Sequence, residues 1–72
     1  MERLKKVFDE VFGTFSEDLS VTNLDKWDSV AHLTLLVALE EEFSVVIDTE
    51  AADLLDVQTI AEFLRSKGIE NL

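Results

Sequence analysis

Seventy-two residues with a formal charge of −10 and 47% hydrophobic side chains leave room for one core, so the chain reads as a single domain over residues 1–72. That apolar content sets it apart from a disordered acidic tail, and its acidity excludes nucleic acid as a partner, because phosphate backbones are repelled by such a surface. The absence of cysteine rules out a disulfide framework, a thiolate nucleophile and a cysteine zinc site, and fits a reducing compartment.

The opening MERLKKVFDE reads as an amphipathic helix, since a signal peptide needs an unbroken apolar run behind its basic residues. No apolar run is long enough to span a bilayer, so the expected location is cytoplasmic, without membrane insertion. Leu4, Val7, Phe8, Val11 and Phe12 recur at helical spacing over about residues 2–12, and Gly13 marks the stop. Thr14 to Trp27 is irregular and long for a compact domain, a length tied to function or anchoring. Phe15, Leu19, Val21 and Leu24 are spaced to tuck this loop against the core. A second helix starts at Asp28 or Ser29, each a good N-cap, and runs to about Phe43. The SVVID stretch at residues 44–48 reads as an extended connector, because a lone short strand has no partner. A short third helix follows over about residues 49–55. The last helix begins after Asp56 with Val57, Ile60, Ala61 and Leu64 as its buried stripe. Gly68 closes it, and Arg65 and Lys67 complement the helix dipole in the last turn.

Charge is distributed unevenly. From Trp27 to Leu64 every charged residue is an acid: Asp28, Glu40, Glu41, Glu42, Asp48, Glu50, Asp53, Asp56 and Glu62. Such a run is ordinarily a solvated face. It also attracts a basic protein patch and speeds association with it at low salt.

The second helix carries the functional reading. A turn of about 100° per residue places His32, Leu35, Leu36, Leu39 and Phe43 on one side as a core stripe. Val30, Leu33 and Val37 fall on the opposite side, flanked by Thr34, Glu40 and Glu41. A helix apolar all round is normally central and covered by its neighbours. In so small a domain the flanking acids need water, so Val30, Leu33 and Val37 are expected at the surface as a partner-docking stripe rimmed by carboxylates. An Asp-Ser pair at a helix start is by itself an ordinary cap. A phosphate ester on Ser29 also has a physical basis there, at the positive end of the helix dipole and beside unpaired backbone N–H groups. Asp28 as cap and Ser29 as modified residue are compatible.

With these residues in view, the chain resembles the acyl carrier proteins and their peptidyl carrier relatives. Asp28-Ser29-Val30 is similar to the family's Asp-Ser-Leu attachment motif, LTLLVALEEEF to its second helix, and Ile47 with the closing DVQTIAEFL to its third and fourth helices. The match covers residues 24–67, and residues 2–12 fit the first helix in pattern only. The resemblance implies an all-α fold: a small four-helix bundle of acyl-carrier-protein type, with a long loop between helices 1 and 2 and a short third helix. It implies that Ser29 accepts 4′-phosphopantetheine from coenzyme A through a phosphopantetheinyl transferase. The arm's thiol then holds acyl or aminoacyl cargo as a thioester and carries it between enzymes, without catalysis by the carrier. By the same resemblance Asp28, Val30, Leu33, Val37, Glu40 and Glu41 meet basic patches on the loading and transferring enzymes, and Glu50 and Asp53 extend that contact. A monomer is expected.

Departures from the family pattern are specific. Trp27 stands where glycine is frequent, Ala31 and Thr34 stand where acids are frequent, and the segment before Ser29 is shorter than in fatty-acid carriers. They point away from housekeeping fatty-acid synthesis and towards stand-alone carriers of specialised pathways. Two rival readings remain. A serine hydrolase built on Ser29, His32 and Asp28 has nowhere to place an oxyanion hole and a substrate pocket, and an unchanged hydrolytic background in Ser29→Ala removes it. An acidic helical adaptor without a covalent cofactor is the second; no EF-hand spacing supports an ion-binding version of it.

Overall fold

A computed structural model describes residues 1–48 and 53–72. Among them lie three helices: α1 (Glu2–Phe12), α2 (Ser29–Phe43) and α3 (Val57–Ser66). Their limits agree closely with those expected from periodicity and caps. The short helix expected over residues 49–55 falls largely on 49–52, outside the described residues.

Each helix ends where local chemistry ends it. Gly13 takes a left-handed conformation (φ 75°), and its amide returns to the Asp9 carbonyl at 2.9 Å, closing α1. Asp56 caps α3, its carboxylate accepting from the Thr59 amide at 2.7 Å. Ser44 closes α2 with φ 54°, a left-handed position held by a residue with a Cβ.

The buried side chains form one cluster. α1 contributes Leu4, Val7, Phe8 and Phe12; α2 contributes Leu35, Leu36, Leu39 and Phe43; α3 contributes Val57, Ile60, Ala61 and Leu64. Each fully buried Val, Leu, Ile or Phe among them stabilises the fold by about 1.5–3 kcal/mol before entropy is set against it. α1 and α2 run antiparallel. At one pole Arg3 donates through Nε to Glu42 Oε2 at 3.0 Å and through Nη2 to the Glu42 carbonyl, and its guanidinium lies 4.5 Å from the centre of the Phe43 ring. At the other pole the rings of Phe8 and Phe12 lie 5.4 and 5.6 Å from Trp27.

The loop of residues 14–28 is anchored. Phe15, Leu19, Val21 and Leu24 pack half-buried against the core, as their spacing predicts. An isolated antiparallel bridge joins Ser20 to Asp56. Around it, the Val21 amide donates to the Leu55 carbonyl and the Val57 amide to the Leu19 carbonyl, each at 3.0 Å. This ties the loop to the residues that lead into α3, beside the start of α2. Residues near the two ends of the chain meet at the Arg3 pole, where the amide of buried Leu4 donates to the carbonyl of buried Leu72 at 2.6 Å.

Candidate attachment site at the start of the second helix

Of the two capping residues the sequence offers, Asp28 is the one used. Its backbone is extended and its Oδ1 accepts from the Ala31 amide at 2.9 Å, while its carbonyl opens the helix by accepting from the His32 amide at 2.8 Å. Ser29 is therefore the first helical residue, and its side chain is exposed. No described residue shares a hydrogen bond with its hydroxyl. Removing the capping duty leaves that oxygen available for chemistry from outside. The amides of Ser29 and Val30, in the first turn, lack intrahelical acceptors. An ester phosphate on Ser29 is compatible with those donors and with the helix dipole, so the residues present fit a phosphate-linked group.

Trp27 is 3% exposed, and its Nε1–H donates to His32 Nδ1 at 3.0 Å. The two rings are nearly parallel, at 26°. They are the residue before the cap and the fourth helical residue, positions at which an apolar pair commonly fixes the entry of the chain into a helix. Here a hydrogen-bonded indole and imidazole do this. Sequence reasoning placed His32 on the core side, where it lies half-buried, but did not pair it with Trp27. The staple spacing was the signal that links them. Beside this pair opens a groove of about 300 Å³, lined by Val21, Trp27, Asp28, Ser29, His32 and Leu55.

The second apolar stripe of α2 is at the surface: Val30 is 75%, Leu33 65% and Val37 54% exposed. Three apolar side chains one turn apart thus run along the outer face from Ser29. Their acidic rim differs in part from expectation. Glu41 and Asp53 are exposed, but Glu40 is half-buried and accepts from the Ile47 amide at 3.0 Å, which ties it to the chain leaving α2. Glu50 lies outside the described residues. Glu42 pairs with Arg3 and Lys6 at 3.0 and 3.2 Å. The Arg3 hydrogen bond first, then that of Lys6, holds its carboxyl below the 4.5 of an unperturbed glutamate. Among the described residues no cluster of three or more His, Cys, Asp or Glu is placed to hold a metal ion, and no helix is long and apolar enough to cross a membrane.

No family model matches the chain. An acyl carrier protein of Thermosynechococcus vestitus is 47% identical to it over 56 residues, which are 76% of this chain and 62% of that protein. The chain belongs to the acyl carrier protein family. Its match spans about three-fifths of that relative's length.

Proposed function

We propose that this protein is a carrier whose Ser29 bears a 4′-phosphopantetheine arm, and that it presents acyl or aminoacyl groups to the enzymes of a specialised biosynthetic pathway. The observation that carries this reading is the division of labour at the start of α2: Asp28 caps, and Ser29 keeps an exposed hydroxyl beside a groove. The arm, once attached, supplies a terminal thiol on which cargo is held as a thioester, a group this cysteine-free chain does not have. The protein's own contribution is to hold the attachment point at a rigid helix start and to be recognised. Val30, Leu33 and Val37 offer partners an apolar contact that costs no refolding. Asp28, Glu41 and Asp53 surround it with negative charge that steers basic patches towards it. Glu40 and Glu50 belong to the same acidic side of the sequence, with Glu40 contributing after its bond to Ile47. The expected partners are a phosphopantetheinyl transferase and the loading and transferring enzymes. We take the protein to be a cytoplasmic monomer.

Intact mass after incubation with coenzyme A, Mg²⁺ and a promiscuous transferase tests the reading. The native chain gains one phosphopantetheinyl group and Ser29→Ala gains none. No gain with any of several transferases would return Ser29 to the role of a plain helix residue and leave an acidic adaptor as the better reading.

A further inference from the structure

The bond between Trp27 and His32 depends on a proton that one ring nitrogen does not carry. The indole Nε1–H can only donate. His32 Nδ1 therefore accepts it at 3.0 Å while the imidazole is neutral, with the ring's remaining proton on Nε2. Trp27 is buried between α1 and α2, its ring 5.4 and 5.6 Å from those of Phe8 and Phe12. Bulk water does not replace an acceptor lost at that depth. His32 is placed differently: it is half-buried and lines the open groove beside Ser29, where protons reach it.

A second proton puts an N–H on Nδ1, facing the indole N–H. Two donors then oppose each other, and the charged ring needs another acceptor. The groups around it decide which. α2 itself supplies Asp28, which lines the groove together with His32. α1 presents only Phe8 and Phe12 to Trp27. On the loop, Val21 lines the groove, and Asp25 and Lys26 are exposed. On the stretch before α3, Leu55 lines the groove, Asp53 is exposed, and Asp56 has its carboxylate on the Thr59 amide at 2.7 Å. Among the described residues that line the groove, Asp28 alone is an anion able to draw an imidazolium. It is also the cap of α2.

We propose that His32 is a positioning residue that works as a proton-sensitive latch on the start of α2. Neutral, it holds Trp27 and leaves the Asp28 carboxylate to the Ala31 amide. Protonated, it releases the indole and competes with that amide for Asp28. The latch acts on Ser29 through the residues on either side of the cap. It belongs to the protein before any group is attached, so it stands or falls independently of the carrier reading. The held entry goes with the neutral ring, and acid loosens it.

The chain has one tryptophan and one histidine, so each partner of the bond has its own resonance. Spectra of the unloaded protein, labelled with nitrogen-15 and carbon-13, are recorded from neutral pH down to about pH 5, where most carboxylates stay ionised. The indole Nε1–H resonance is expected to move with the same midpoint as His32 Cε1–H. Exchange of the Ala31 amide, corrected for its intrinsic pH dependence, is expected to quicken at least about fivefold, the factor equivalent to one net hydrogen bond. Exchange at Ala31 that stays constant while His32 titrates would overturn the latch whatever the indole shift does, because a nearby charge alone moves a shift. His32→Asn sets a side-chain oxygen that does not titrate near the place of Nδ1, and is expected to keep slow Ala31 exchange across the whole range. A pH response that survives in His32→Asn would assign it to the carboxylates and overturn the proposal. Should that variant fail to fold, the titration of the parent decides by itself.

Discussion

Asp28 and Ser29 are adjacent, polar and both plausible caps, yet they are expected to separate completely when replaced. Asp28→Ala removes the acceptor of the Ala31 amide, at a cost of about 1 kcal/mol within a range of about 0.5–2. Loss of the negative charge at the helix start adds about 0.3–1 kcal/mol. In a domain of this size about 1 kcal/mol is worth about 4–8 °C of Tm. Asp28→Asn keeps an acceptor and loses only the charge, so its drop is confined to the smaller contribution. Ser29→Ala removes a hydroxyl that bonds to no described residue and replaces serine with a better helix former. Its stability stays within about 0.5 kcal/mol of the parent or rises slightly. Thermal melts by circular dichroism at fixed salt, with urea titrations as a check, give the order Ser29→Ala, then Asp28→Asn, then Asp28→Ala. If Ser29→Ala melts as low as Asp28→Ala, then Ser29 shares the cap and the division of labour described here is wrong. Loading assays on the same set read the other function, with Ser29→Ala the one variant unable to be loaded.

Four further outcomes are expected. Leu33→Ser, on the uncovered stripe, leaves Tm within about 0.5 kcal/mol equivalent but slows loading by the transferase in a kinetic assay; an unchanged rate would remove Leu33 from the docking face. Glu42 has its folded carboxyl pKa lowered by Arg3 and Lys6, so the stability it contributes is full above the unfolded value near 4.5 and is lost as pH falls through the lower folded value. The Tm gap between the parent and Glu42→Gln should therefore close on acidification, and a gap that persists in strong acid would contradict the pairing. Ser44→Gly relieves a left-handed residue, a gain of about 1–2 kcal/mol offset by glycine's entropy of about 0.5–1, and raises the urea midpoint; a lowered midpoint would mean the Ser44 side chain stabilises the turn. Millimolar Mg²⁺ or added salt raises Tm by screening the acidic run from Asp28 to Glu62, and flat melting curves across salt would show that these charges do not repel one another appreciably.

Most of the helical framework was legible because its signals are local. The 3.6-residue spacing of Leu4, Val7, Phe8 and Phe12, the aspartates before α2 and α3, and the glycine after α1 each act within a turn or two of chain. Exposure of Val30, Leu33 and Val37 followed from geometry plus the need of nearby acids for water. What stayed hidden depends on contacts distant in sequence or on rotamer choice. The bridge between Ser20 and Asp56 has no local signature, so the wall of the groove was invisible. The helical angle of Glu40 points it outward, but its half-buried carboxylate, one turn from the helix end, accepts from the Ile47 amide instead. In the sequence Trp27 stands out only as a departure from a family pattern; its burial against Phe8 and Phe12 is what sets it into the lining beside Ser29.

The Arg3 pole has a practical consequence. Arg3 binds Glu42 and, through Nη1, the Asn71 carbonyl at 3.2 Å, so residues near both ends of the chain gather at the finish of α2. Ser29 sits at its beginning, about 22 Å away along a 15-residue helix. A surface, bead or fused neighbour joined through either end is thereby held on the side opposite the serine, which faces open solution whichever end is used. Immobilisation through the N-terminus and through the C-terminus should leave the serine equally reachable, and a linker of a few residues is enough to close the chain into a ring without crowding the working end.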